Sequence, residues 1–123
     1  MLFDKTTQIL SASVYYSGLR HKVIANNIAN ADTPGYKALD ISFKEQLEYL
    51  MKTRGAGEKI SPPPPVVVSD RYSSIDGIRK DLNTVDIDCE LAELSRNAIL
   101  HNTYLELLNN RFNILKTAIS GNV

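Results

Sequence analysis

Cysteine, histidine and tryptophan are scarce in this chain: one Cys, two His and no Trp stand among 123 residues. A lone cysteine excludes an internal disulfide framework, and His21 and His101, far apart with no cysteine cluster, supply no zinc donor set. Net charge is lacking too. With 14 basic and 14 acidic residues the formal charge is zero, and no basic patch stands out to grip nucleic acid or anionic lipid. No window approaches the ~18 apolar residues of a membrane helix, and the N-terminus MLFDKTTQILSASVYYSGL has no basic stretch followed by an uninterrupted apolar core. The chain is therefore expected to use no cofactor or metal, to bind no nucleic acid, to insert in no membrane directly, and to carry no cleavable signal peptide.

Catalytic constellations are also missing. Asp86, Asp88 and Glu90 lie close in sequence, but alternate positions do not share a helix face and the EF-hand spacing is absent. Negative charge on the first turns of a helix accounts for them through the helix dipole. Cys89 has no cationic neighbour in sequence to lower its pKa and is expected to be small, buried and inert. Serine, histidine and aspartate occur without a nucleophile elbow or a glycine loop, so no enzymatic activity is expected. His101 reads as a packed polar residue that helps set helix register.

What the chain does hold is helical periodicity at both ends. A four-three spacing places Leu2, Lys5, Ile9, Ala12, Tyr16, Leu19, Val23, Asn26 and Asn30 on one seam, which predicts a helix of about 25 residues. Arg20, His21 and Lys22 along it read as exposed charges of small consequence. The second pattern is stronger. Ile87, Leu91, Leu94, Ala98, His101, Leu105, Leu108, Phe112, Leu115 and Ile119 alternate four and three without a break, capped by Asp86 or Thr84, which predicts one helix of ~33 residues. The fold class is thus mainly α: two long terminal helices pairing as a coiled-coil hairpin, with a short middle helix and an irregular Pro-rich segment. Leu100, Leu107 and Ile114 repeat beside the C-terminal seam, and Leu10, Val14, Ile24 and Ile28 broaden the N-terminal one, so a hairpin alone leaves apolar faces that need other partners.

The chain divides into an N-terminal helix over 1–32, a connecting segment over 33–82 and a C-terminal helix over 83–123. In the connection, Ser42 and Glu45 form a capping box opening a short helix through Leu47, Leu50 and Met51, closed by Gly55 to Gly57. Pro62 to Pro65 read as a stiff spacer, Val66 to Val68 as a short strand, and Asp76-Gly77 as a turn.

Between the first helix and the connection lies the string ANNIANADTPGYK, Ala25 to Lys37. Pro34 pushes Thr33 out of helical space and Gly35 supplies the positive φ of a type II turn, so the helix stops near Asp32. Asn26, Asn27 and Asn30 carry amides suited to backbone groups freed at the helix end, or to a neighbouring chain.

At Ala25, Asn26, Asn27, Ala29, Asn30, Thr33, Gly35, Tyr36 and Lys37 this string resembles the N-terminal signature of the flagellar rod, hook and hook-associated axial proteins. Asp32 to Lys37, with Pro34 included, the short length and the C-terminal runs NTVDIDCELAEL and LLNNRFNILKTAI make the chain similar to proximal-rod members. The resemblance covers roughly residues 1 to 50 and 83 to 120. It implies a structural subunit that polymerises through its terminal helices into the tubular drive shaft. The partners implied are other rod subunits and copies of itself, the membrane-ring end of the motor with its small rod adaptor protein, and the flagellar type III export apparatus. It also implies a periplasmic place in the basal body, reached without a cleavable signal peptide. Another rod position within the family is the near alternative. From the helices alone, a cytoplasmic coiled-coil adaptor or export chaperone is the more distant one.

Overall fold

The computed structural model describes residues 4–52, 64, 66–69 and 82–121. The elements are α1 (Lys5–Ala29), β1 (Leu39–Ser42), α2 (Lys44–Lys52), β2 (Val66–Ser69) and α3 (Ile87–Ser120). Leu2, Gly55 to Gly57, Pro62, Pro63, Pro65 and Asp76-Gly77, on which sequence expectations fell, lie outside the described residues.

Asp4 opens α1, its carboxylate accepting from the Thr7 amide at 2.9 Å. The helix runs 25 residues and gives way at Asn30, whose N–H still reaches the Asn26 carbonyl. Asp86 opens α3 in the same manner, accepting from the Cys89 amide at 3.2 Å, and Gly121 closes it in the left-handed region at φ 68°. Both caps follow the usual logic of satisfying amides and carbonyls that a helix end leaves free. The middle helix begins one residue later than the capping box implies. The Leu47 amide bonds the Phe43 carbonyl, so Phe43 flanks α2 while Ser42 closes β1.

Strands β1 and β2 pair antiparallel, Leu39 opposite Ser69 and Ser42 opposite Val66. The ribbon and α2 stand against one side of α1. There Ala12, Tyr16 and Leu50 form a small core with Ile9, Phe43 and Leu47, and the rings of Tyr16 and Phe43 stack at 5.6 Å. Burial pushes the Tyr16 phenol up, and Tyr15 adds to the effect.

Helices α1 and α3 run antiparallel along one another. Arg111 pairs with Asp4 at one end, and Glu90 meets Asn27 at the other. The face of α3 turned toward α1 follows Glu90, Leu94, Asn97, His101, Tyr104, Leu108, Arg111 and Leu115, all buried or half-buried, with Glu93 and Ala98 half-buried beside them. This is a four-three seam, offset around the helix from the apolar one. Leu94, His101, Leu108 and Leu115 belong to both. Ile87, Leu91, Leu105, Phe112 and Ile119 stay exposed, from 37 % at Leu105 to 75 % at Ile119. The cause is the α1 surface: its side facing α3 presents Ser17, Arg20 and Asn27, and their buried polar atoms must be matched.

Candidate assembly site: the asparagine turn and the helix flanks

At the end of α1 the chain turns sharply. Thr33, Pro34, Gly35 and Tyr36 form a turn in which the Tyr36 amide bonds the Thr33 carbonyl at 3.3 Å, with Gly35 at φ 74°. Pro at the second place and a positive-φ glycine at the third make it a type II turn. An L side chain at Gly35 would meet no neighbour, so backbone conformation alone selects glycine there.

Each asparagine of the signature has its own task. Asn27 is fully buried and acts on Leu39 as a strand neighbour would, accepting its N–H at 3.0 Å and donating to its carbonyl at 2.7 Å. The same side chain donates to Glu90 at 3.2 Å and accepts from the Tyr36 hydroxyl at 3.0 Å. Asn30 folds back on the helix end, donating to the Asn26 carbonyl at 2.8 Å and accepting from the Thr33 hydroxyl at 3.1 Å. Exposed Asn26 donates to the Tyr36 hydroxyl at 3.1 Å. Ala25, Ala29, Thr33, Pro34, Gly35 and Lys37 are exposed, and Tyr36 is half-buried.

Residues for which the sequence suggests another role, or none, complete the site. Asn83, 2 % exposed, donates to the carbonyls of Asn30, Ala31 and Thr33 at 2.8 to 2.9 Å. Thr84 accepts the Ala38 amide at 2.9 Å and gives its own to the Tyr36 carbonyl at 3.1 Å. Val85 packs with Ala31, Ala38 and Tyr36. Glu90, expected to serve the helix dipole, is instead fully buried against Asn27. Arg20 is only 18 % exposed and bridges Asp40 on β1 and Glu93 on α3, at 3.1 and 3.2 Å. No local pattern marks these contacts, because the partners stand 20 to 73 positions away in sequence.

Farther along the seam, the Ser17 hydroxyl and His101 Nδ1 lie 2.7 Å apart, and Asn97 donates to the Ser17 carbonyl at 2.8 Å. At its far end, the nearby Thr7 hydroxyl and the Thr7 amide that donates to it, then the Arg111 guanidinium, hold the pKa of the Asp4 carboxyl down at about 2. Cys89, expected to be buried, is exposed. Its hydrogen bond with Asp86, then some desolvation and the charges of Asp86, Asp88 and Glu90, push the thiol up, away from reactivity.

The sequence-predicted seam residues divide between core and surface. Tyr16 is fully buried, Ile9, Leu19 and Val23 are half-buried on α1, and Leu94, Leu108 and Leu115 are half-buried on α3. Leu91, Leu105, Phe112 and Ile119 form an apolar flank on one side of the α1-facing seam, Leu100, Leu107 and Ile114 form a second flank on the other side, and Ile87 stands exposed where the seam row begins. Among the described residues, no three His, Cys, Asp or Glu side chains converge as a metal site requires, and no helix is long and apolar enough to cross a membrane.

Comparison with known proteins places these features in a lineage. The family model described as "Flagella basal body rod protein" matches residues 19–37, from the last turns of α1 through the signature turn. The chain is 34 % identical to the flagellar basal body rod protein FlgB of Bacillus subtilis (strain 168), over 98 % of this chain and 97 % of that protein. It is 32 % identical to the FlgB of Aeromonas hydrophila, over 97 % of this chain and 96 % of the relative. Against the FlgB of Buchnera aphidicola the identity is 26 %, over 98 % of this chain and the whole of the relative.

Proposed function

The chain belongs to the FlgB family of flagellar basal body rod proteins, structural components of the rod, and from that premise we propose that it polymerises at the proximal end through the flanks of its terminal helices. The observation that carries this reading is the apolar surface of α3. The helix closes on α1 through a seam rich in polar side chains, leaving Leu91, Leu105, Phe112 and Ile119 on one side and Leu100, Leu107 and Ile114 on the other. Two apolar stripes on one helix are far more than a small chain scatters by chance, and they mark a surface made to be covered. Neighbouring copies and other rod subunits are the partners that two separate stripes suit, since a contact repeated without closing on itself builds a helical tube.

In this reading the role is structural, not catalytic. The terminal helices bear axial load and torque, and the signature turn sets the angle at which α1 hands the chain to the ribbon and α2. At the base of the rod the subunit meets the membrane-ring end of the motor and its small adaptor protein. The type III export apparatus delivers it to the periplasm without a cleaved signal.

The test is mass spectrometry of detergent-extracted basal bodies from the source bacterium, with and without this gene, alongside electron microscopy of what remains. The chain is expected in intact rods, with neither rod nor filament formed in its absence. Complete rods lacking the chain would overturn the reading and favour an adaptor that stays in the cytoplasm.

A further inference from the structure

We propose that the signature turn takes its form only when the C-terminal segment of residues 82–90 is docked on it, with the Asn83 amide as the clamp. The turn's own anchors reach no farther than the end of α1. Past the last helical bond of Asn30, the bonds that the backbone of residues 31–36 makes with its own neighbourhood span one turn each: Ala31 to Ile28, Thr33 to Asn30 and Tyr36 to Thr33, at 3.1 to 3.3 Å. Local side chains add the Asn30 bonds to Asn26 and Thr33 and the Tyr36 bonds to Asn26 and Asn27. Short turns of this kind, exposed to water, do not hold a fixed exit direction alone.

The C-terminal segment supplies what is missing. The Asn83 amide gathers the carbonyls of Asn30, Ala31 and Thr33 onto one nitrogen, while its own Oδ1 accepts the Val85 amide at 2.8 Å and so fixes the side chain. Thr84 then forms two bonds with the strand that leaves the turn, one to Ala38 and one to Tyr36. Lys37 Nζ donates to the Leu82 carbonyl at 3.3 Å, and Val85 fills the space between Ala31 and Ala38. Glu90 completes the contact by accepting from Asn27. Leu82 sits at φ 62°, a left-handed conformation that a leucine adopts only when its surroundings demand it. That backbone delivers Asn83 to the three carbonyls.

The consequence is a completion device. A chain whose two ends are not yet joined has no defined signature turn to offer a neighbour. This consequence for assembly rests on the rod reading, whereas the clamp itself is tested apart from it.

The experiment is residue-resolved hydrogen exchange by NMR on the full chain and on Asn83→Ala, Asn83→Asp and Leu82→Gly variants. In Asn83→Ala, the amides of Thr33, Tyr36 and Ala38 are expected to exchange roughly tenfold faster or more, while those in the middle of α1 and α3 keep their protection. Asn83→Asp retains the acceptor for Val85 but removes both donors, so it should lose protection at the same three amides. Leu82→Gly relieves the backbone demand and should leave the turn as protected as before. Unchanged protection in both Asn83 variants would overturn the proposal. Uniform loss along α1 and α3 would overturn it as well, because the turn would then be no separately clamped unit. Neither result would bear on whether the chain is found in rods.

Discussion

Asn27 shows how much one amide can carry. It is fully enclosed, and both of its polar atoms are engaged twice, with Leu39, Tyr36 and Glu90. Asn27→Leu, similar in size, strips the Leu39 amide and Glu90 of a partner in a place closed to water. The expected loss is about 2–4 kcal/mol, read as a lowered midpoint of urea unfolding. The adjacent Asn26 is exposed, and its side chain makes two bonds open to water, donating to the Tyr36 hydroxyl and accepting from Asn30, so Asn26→Ala is expected to cost only about 1 kcal/mol. Swimming assays then separate the two roles. Immotile cells bearing a stably folded Asn26→Ala chain would show that this side chain is needed by a neighbour, whereas normal motility would sink that role. Asp4 contributes through its charge. Its carboxyl titrates near 2 in the fold against 3.8 as the ordinary value, so its stabilisation is whole above about pH 4 and drains away as pH falls toward 2. Asp4→Asn should lower the melting temperature at neutral pH and flatten that acid limb, which circular dichroism between pH 2 and pH 6 would register.

At the level of elements, period and punctuation make the two long helices legible in the amino-acid sequence. Their lengths follow from unbroken four-three spacing between Asp4 and the Pro34-Gly35 turn, and between Asp86 and Gly121. The type II turn is legible too, because its residue types leave the backbone little choice. Valines 66 to 68 read as a strand, but their partner β1 does not. Four residues, LDIS, give no periodicity, and their pairing is decided from outside, by Asn27 and by β2. The phase of the α3 seam is hidden for a different reason. Apolar periodicity shows where a helix wants cover, not which neighbour gives it, and here α1 meets the polar row through Asn97, His101 and Glu90. Asn83 is invisible because it acts on carbonyls 50 to 53 residues away. Gly18 permits a prediction at this scale. A Cβ there would sit 3.7 Å from His101 Cε1, an ordinary contact. Gly18→Ala should therefore stabilise α1 by up to about 1 kcal/mol, seen as a raised melting temperature. A drop instead would mean that the α1–α3 approach is tighter than the seam indicates.

For the whole molecule, the arrangement of the two flanks on α3 decides what kind of assembly is possible. One stripe, Leu91, Leu105 and Phe112 with Ile119, and the other, Leu100, Leu107 and Ile114, lie on either side of the α1-facing seam. If one flank of each copy packs on the opposite flank of the next, the contact is heterologous and propagates without limit, as a rod requires. Changing exposed side chains should leave the fold of a single chain nearly untouched, within about 0.5 kcal/mol per site. Association should respond strongly. Leu105→Gln with Phe112→Gln removes one flank, and Leu107→Gln with Ile114→Gln removes the other; each double variant alone is expected to stay monomeric in sedimentation velocity at concentrations where the parent chain forms larger species. An equimolar mixture of the two variants still holds one intact pair of opposite flanks, so it should form dimers and stop there. Self-paired flanks would behave otherwise: each double variant would dimerise by itself through its remaining stripe, and mixing would add nothing. The mixture thus tells a propagating contact from a closed one, and only the propagating contact suits a tube built by adding identical subunits in one direction.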